Sequence, residues 1–489
     1  MGYLSQHLRG YLRSTHLSEQ TPVKVVVCVS QSPTVTVSRV PTTAKARIVA
    51  LEALRATGLR GDILRSATLQ PRRIVEGVNT VTLQVRAGEL EKLAGSPGVE
   101  YVRSVRMHRM HLNVSVGLLG VDTGVRSRYD GTGVRVAVID SGIDHNHPDL
   151  CGCVNLNLSR NFTDEGSATD VTGGNGHGTH VAGIIGGAGS TYRGVAPGVE
   201  FIACKVFDSS GRATEEGAVI AAIRWAIEKG AHIINYSGGY APVLNHPTLG
   251  LIVLVTPPWV WPRDLLEEES EFKRAMDNGI VAVVSAGNEG NIGRRGTLSM
   301  PATSPAIISV GSVDKQRRLS GFSSVGPAYR SERVLPADAP QTLTTDLRPY
   351  TRAYPEVDLI APGGEVDPAA ARSGGCYYLP GIISPLSHNA DEELACIVDS
   401  RYVRGSGTSQ AAPHISGLAA LLFQAARGMS IDLGPRRAYI VKGILRAAAQ
   451  RLGGYKPAEQ GRGLPMWVNV ERILQDIVAG RIPISRFAR

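Results

Sequence analysis

Residues 405–427 read GSGTSQAAPHISGLAALLFQAAR. A Gly/Ser-rich turn gives way to a run whose Ala and Leu content and length suit a buried helix. Ser409 therefore sits where a turn becomes a helix N-terminus. Backbone N–H groups left unpaired there can face an anion, and the helix dipole favours negative charge. Two readings of Ser409 stay open on this stretch: a helix cap, or a nucleophile beside half an oxyanion hole.

The residues before the turn alternate between strand-like and helix-like runs. Strands are expected at 134–139 (VRVAVI), 201–207, 232–236 and 280–285, and helices from 177, at 216–229 and at 265–278. Strands alternating with helices predict an α/β fold, a mainly parallel sheet with helices on both faces. Ligands of such sheets gather at the carboxyl ends of the strands. Asp140 directly follows VRVAVI, and Asn288 follows IVAVVS. After the Ser409 helix, further helices are expected at 436–452 and 469–477.

Earlier in the chain, 22–30, 63–70, 80–85 and 98–105 read as strands and 43–57 and 87–94 as helices. The order β-α-β-β-α-β is that of a small ferredoxin-like α+β domain. The expected domains are a basic extension over 1–21, the ferredoxin-like domain over 22–111, the large domain over 112–478 and a basic tail over 479–489. Two interruptions break the large domain. Residues 241–263 hold the apolar, Pro-rich run LGLIVLVTPPWVW, read as a core-packing loop or as a docking patch for a regulatory partner. Residues 328–353 read as a polar surface loop.

The 489 residues carry a formal charge of +9. Residues 1–110 hold 16 Lys/Arg against 7 Asp/Glu, so the excess lies there and the remainder is balanced. No nucleic-acid motif accompanies it, and a segment that pairs with an acidic surface of the same chain explains it as well. Six cysteines are too few for a disulfide scaffold, and no CxxC pair suggests zinc. Cys28 and Cys204 read as buried thiols; Cys376 and Cys396 bracket one loop, paired or free. The first sixteen residues lack a signal-peptide core, and no apolar run reaches the roughly 18 to 20 residues of a membrane span. The expectation is a cytoplasmic protein with no transmembrane segment.

Asp140, in VAVIDSGIDHNHPDL, can stay ionised at a strand end and orient an imidazole. His177, in GNGHGTHVAGII, opens a helix and can serve as a general base, while His180 reads as structural. Asn288, in SAGNEG, can donate to an oxyanion or fix a loop. The order Asp, His, Ser with a separate Asn donor is one of the known triad orders. With the motifs VAVIDSGI, HGTHVAG, SAGNEG and GTSQAAPHISG, the sequence resembles the subtilisin-like serine peptidases from about residue 112 to 478.

The resemblance implies that Asp140, His177 and Ser409 form a triad, with Asn288 and the Ser409 N–H as oxyanion hole. It implies that Ser237-Gly238-Gly239 and Ala286-Gly287 pair with extended protein or peptide substrate, with Gly238 replacing a bulkier residue common in the family. Glu215-Glu216 either face substrate or begin a solvated helix. The N-terminal domain looks like the family's inhibitory prosegment, cleaved near 110–112 or retained. Asp149 matches a position that binds calcium in many relatives. The loop 186–193 lacks the oxygen-rich side chains that usually complete that site, so no cofactor is required and calcium stays a candidate. The implied activity is a serine endopeptidase acting through an acyl-enzyme. Alternatives on the same fold are a transpeptidase or peptide cyclase, and a non-catalytic scaffold.

Overall fold

The fold comes from a computed structural model. It describes residues 111–488 except 212–216, 241–242, 247–249, 254–262, 292–296, 327–356, 373–374 and 391–395. Before residue 111 it describes 3–4, 22–29, 68–69, 80–94 and 99–104. The expected helix over 43–57, the loop over 328–353 and Glu215-Glu216 lie outside the described residues. The chain divides into two compact units, Met1–Arg109 and Met110–Arg489.

The first unit is built on strands β1 (Tyr3–Leu4), β2 (Pro22–Val29), β3 (Thr68–Leu69), β4 (Thr80–Arg86) and β5 (Val99–Ser104), with helix α1 (Leu90–Ala94) before β5. The sheet order is β1-β5-β2-β4-β3. β2 pairs antiparallel with β4 and with β5, and β3 antiparallel with β4. Without β1 this is the arrangement expected of a ferredoxin-like split βαβ unit. Sequence reading left the 1–21 extension without an element. Yet β1 adds parallel to β5, pairing Tyr3 with Tyr101 and Leu4 with Val102. Leu90, Leu93, Val99 and Val102 are buried.

The second unit opens with α2 (His111–Leu118) and α3 (Thr123–Arg128), capped by the Asp122 carboxylate on the Val125 N–H. Its main strands are β6 (Arg135–Asp140), β7 (Arg160–Asn161), β8 (Glu200–Lys205), β9 (Ile233–Tyr236), β12 (Val281–Ser285), β13 (Ile308–Val313) and β14 (Leu359–Pro362). They form one parallel sheet in the order β14-β13-β12-β9-β6-β8-β7. β9, β12, β13 and β14 are buried along their whole length. Their near-continuous apolar runs follow from cover on both faces. β6 pairs with β8 on one side and β9 on the other, so the order reverses there. In open parallel sheets ligands bind at such a reversal, here beyond the carboxyl ends of β6 and β9.

The helices used below are α4 (His177–Gly186), α5 (Ala218–Glu228), α6 (Arg263–Asp277), α7 (Thr408–Gly428), α8 (Arg437–Ala447) and α9 (Trp467–Val478). α7 is buried over most of its 21 residues and packs on β9, β12, β13, β14 and α4. α5 and α6 pack on each other.

The expected strands gain partners that the apolar runs did not announce. β13 and β14 went unread because one is interrupted by Ser and Gly and the other ends in Pro. The 241–263 interruption is not a plain loop: it holds an antiparallel hairpin, β10 (Val243–His246) and β11 (Gly250–Val253). A second, three-stranded sheet precedes the Ser409 turn, with β15 (Ile382–Pro385), β16 (Ile397–Asp399) and β17 (Tyr402–Gly405) in the order β15-β17-β16. A Cys376–Cys396 disulfide closes it, so the two cysteines are paired. Cys204 is buried as expected, and burial pushes its thiol up to about 12. The C-terminal tail is not loose: a turn at Ile484–Phe487 buries Phe487. Among the described residues no helix is long and apolar enough to cross a membrane.

Candidate active site

Asp140 ends β6 with its side chain fully buried, and its Oδ1 accepts from the Ser141 N–H at 2.7 Å. Its own carbonyl accepts from Val206 N–H at 2.8 Å, which anchors the strand end to the segment after β8. His177 is the first residue of α4, and Asn175 Oδ1 accepts its N–H at 3.0 Å in a turn just before the helix. Gly178 follows because a Cβ there would run into Gly142 O and crowd Asp140. That glycine lets the helix start reach the carboxylate. His177 Nδ1 lies 2.7 Å from Asp140 Oδ1. A carboxylate only accepts, so Nδ1 donates to it, and Nε2 is the ring nitrogen left for a further partner, on a ring one-third exposed.

Ser409 is the second residue of α7. The residue before the helix is Gly407, in extended backbone and with no side chain to cap it. Asn288 does that task instead: its Oδ1 accepts from the Thr408 N–H at 2.9 Å. The Thr408 hydroxyl accepts from the Gly287 N–H at 3.1 Å and lies 3.1 Å from both Gly287 O and Asn288 Oδ1. With Oδ1 engaged, the Asn288 Nδ2 has no hydrogen-bond partner among the described residues. Among the described residues the Ser409 N–H has no hydrogen-bond partner. Two donors at a helix N-terminus thus stand open, where the dipole favours negative charge.

A buried polar chain fixes this turn to β9. Pro413, inside α7, has no N–H to give to the Ser409 carbonyl four residues back. Ser237 Oγ donates to that carbonyl at 3.1 Å and is itself held by Asn235 Nδ2 at 3.0 Å. Ser416 Oγ donates to Asn235 Oδ1 at 2.8 Å, and Ser409 Oγ donates to the Ser237 carbonyl at 3.1 Å. Sequence reading missed Asn235, Thr408 and Ser416. The first and last were visible as polar residues within otherwise mostly apolar segments, which a buried position tolerates only when bonded.

His180 Nε2 faces the Ile382 carbonyl at 3.2 Å, and burial pulls its imidazole down to about 3. It is a neutral core group, as expected. His414 is of the same kind: Nδ1–H donates to Gln410 O at 2.8 Å, Nε2 accepts from Ser115 Oγ at 2.9 Å, and burial pulls it down to about 4.

The expected substrate edge divides in two. Tyr240 turns its backbone groups to Met300, so those of Gly239 face the other way, and among the described residues they have no partner: this segment keeps an open edge. Ala286 and Gly287 differ: Ala286 N–H bonds Val310 O, Ala286 O takes Ser299 N–H, and Gly287 O takes Ser324 N–H. Gly287 N–H is held by Thr408. Their four backbone groups are spent inside the protein. Ala286-Gly287 can therefore wall a pocket but cannot pair with a strand, which corrects the expectation. At Gly238, a Cβ would lie 2.7 Å from Phe207 Cζ. The Phe207 ring, stacked on Tyr236 at 6.2 Å, fills the room a larger residue at 238 would take.

Asp149 does not fit calcium. Its Oδ2 accepts from the Tyr402 hydroxyl at 2.8 Å, and the Gly189 backbone packs so closely on the carboxylate that a Cβ would collide with it. Among the described residues no three His, Cys, Asp or Glu side chains gather to hold a metal ion. Calcium wants six or more oxygens, so one carboxylate already bonded to a phenol is a structural acceptor.

The model of the subtilase family (Peptidase S8) matches residues 131–463. The chain belongs to the subtilase family. Subtilisin NAT of Bacillus subtilis subsp. natto is 30% identical over 350 residues, 71% of this subtilase and 70% of that protein. The major intracellular serine protease of Bacillus subtilis (strain 168) is 30% identical over 297 residues, 60% and 69% of the two chains. Among solved structures, a cold adapted subtilisin-like serine proteinase is 25% identical, with a TM-score of 0.45 over 69% of this chain and 90% of that one. This subtilase is a subtilisin-like serine endopeptidase, a hydrolase of protein or peptide substrates.

Proposed function

We propose that Ser409 is the nucleophile, His177 the general base and acid, Asp140 the group that orients the imidazole, and Asn288 with the Ser409 N–H the oxyanion hole. The observation that carries this reading is the 2.7 Å His177–Asp140 hydrogen bond beyond β6, together with a helix N-terminus that presents Ser409 and is capped from outside by Asn288. His177 Nε2 takes the Ser409 proton as Oγ bonds to the peptide carbonyl carbon, and the negative charge moves to the carbonyl oxygen. Asn288 Nδ2 and the Ser409 N–H stabilise that oxygen. His177 then gives the proton to the leaving nitrogen as the C–N bond breaks, and water repeats the sequence to free the acyl group. Asp140 favours the imidazolium that forms between these transfers. Ser237-Gly238-Gly239 would pair with the substrate strand, with Phe207 against its side chains.

The reading extends to the first unit as an intramolecular inhibitor released by cleavage near 110–112. The Arg109/Met110 division between the compact units and the ferredoxin-like strand order support it. Fluorophosphonate labelling of the full chain tests the nucleophile: wild type reacts and Ser409→Ala does not. Equal labelling of the two would reject Ser409. Intact mass tests processing: active wild type should begin near residue 111 and Ser409→Ala should keep its N-terminus. A full-length mass in an active sample would reject the cleavage.

A further inference from the structure

We propose that Cys151 and Cys153 form a thiol–disulfide site, a reversible pair that a low-molecular-weight disulfide of the glutathione type converts to an intramolecular Cys151–Cys153 bond. The site lies between β6 and β7 and is independent of the roles proposed for the triad.

Both cysteines sit in one turn, Leu150-Cys151-Gly152-Cys153, closed by the Cys153 N–H donating to the Leu150 carbonyl at 3.1 Å. Gly152 has φ +80°, in the left-handed region that favours glycine. Two Cα steps of about 3.8 Å folded back by such a turn leave the cysteine Cα atoms about 5.5 to 6 Å apart, within the range a disulfide spans. Nothing lies within 4 Å of the place a Gly152 Cβ would occupy, so the turn has room to adjust as the sulfurs close. Its flanks are pinned. The Cys153 carbonyl accepts from the Phe201 N–H at 2.7 Å, and the Asp149 carbonyl accepts from the Ala188 N–H at 2.8 Å. Only the turn itself has to move.

The two thiols are unlike. Cys151 is exposed, whereas Cys153 is partly buried against the core. Burial, and then Cys151 beside it, hold the Cys153 thiol above its ordinary range. An incoming disulfide therefore meets Cys151. Its thiolate attacks one sulfur of that disulfide, whose S–S bond breaks and releases one small thiolate. Cys153 then gives its proton to water and attacks Cys151 Sγ, releasing the second small thiolate. Two protein thiols are oxidised and one small disulfide is reduced, with Cys151 attacking and Cys153 resolving.

The Cys376–Cys396 disulfide makes the contrast. Its cysteines are 3% and 1% exposed, so a small thiol does not reach them in the folded protein. A Cys151–Cys153 bond closes a far shorter loop at the surface, where it gains little chain entropy and stands open to attack. Disulfides of that kind are the readily reduced ones. One pair is thus fixed with the fold, and the other follows the thiol balance around the protein.

Full-length Ser409→Ala protein, which cannot digest itself, is incubated with oxidised glutathione, alkylated and cut with trypsin. The peptide 136–160 holds both of these cysteines and no other. It should lose the mass of two hydrogens, carry no glutathione, and return to the dithiol on addition of reduced glutathione. Adding Cys153→Ser should leave a glutathionyl group on Cys151, and adding Cys151→Ser should slow reaction of this peptide by at least about 10-fold. Phenylarsine oxide tests the pair with neither cysteine changed. Its arsenic should bond both sulfurs, its oxygen leaving as water with the two thiol protons, and should protect this peptide from alkylation. Thiols that stay reduced, a glutathionyl group that persists on Cys151 with Cys153 present, or a peptide that the arsenical does not protect would each overturn the proposal. The measurements that retain both cysteines decide it even if a cysteine variant does not fold.

Discussion

Lowering the pH from 7 to 5 should cost the second unit about 4 kcal/mol through two buried histidines. His180 and His414 sit at about 3 and about 4 because burial disfavours their charged forms. Unfolded, each titrates near 6.5. At pH 5 the unfolded chain therefore binds almost two protons that the folded unit refuses. Stability from these groups is complete above 6.5 and falls as pH drops toward the folded values. Each contributes about 2 kcal/mol at pH 5, since one pH unit of exclusive proton binding is worth about 1.4 kcal/mol. His232, lowered by burial and by Arg437, acts in the same direction. Glu269, raised by burial, acts against them. Ser409→Ala protein, which cannot digest itself, should show a urea midpoint that drops steeply below pH 6.5. His414→Gln keeps a donor and an acceptor at that position and should lose about half of the pH dependence while being less stable at pH 7. A midpoint that is flat between pH 7 and 5, or an undiminished slope in His414→Gln, refutes the argument.

Three other outcomes are expected. Asn288→Ala should lower kcat by about 10² to 10³ with KM little changed, because its amide acts on charge that exists only in the transition state; stopped-flow turnover of a peptide ester checks it. Phe207→Ala should open room for bulkier substrate side chains near Gly238, and Gly238→Leu should be tolerated only in that background; a peptide-library profile and soluble yield read both. Changing Cys376 and Cys396 together to Ser should cost about 3 kcal/mol, from releasing a loop of 20 residues' separation. Thermal unfolding measures it, and an unchanged Tm would assign the stability of that sheet to its packing.

The candidate site was more legible than the architecture that holds it. Asp140, His177, Asn288 and Ser409 each lie in a short, Gly-rich motif at a strand or helix end, and local sequence suffices to find such positions. The order in which strands join a parallel sheet depends on contacts far apart in sequence. β13 and β14 therefore could not be placed, and neither could the sheet carrying the Cys376–Cys396 disulfide. Ala286-Gly287 shows the limit most clearly. The motif marks them as part of the site, but only the bonds to Val310, Ser299, Thr408 and Ser324 reveal that no edge is left to offer. Asp149 shows it from the other side, because Tyr402 lies 253 residues away and takes the carboxylate. In the first unit the strand pattern agrees with the observed order, because β2, β4 and β5 are long enough, at six to eight residues, to be read as strands from local sequence.

The placing of Ser409 on α7 has a consequence for the timing of activity. β6, near the middle of the sheet, leaves the ribosome with Asp140, and α4 follows with His177, long before Ser409 is made. α7 emerges after all seven strands, and it is also the helix that packs on β9, β12, β13 and β14. Until it docks, the chain lacks both the seryl group and the wedge that completes the interior. With Ser409 in its proposed role, the step that finishes the fold would also be the step that arms it, and a truncated or half-folded chain would carry no cutting edge.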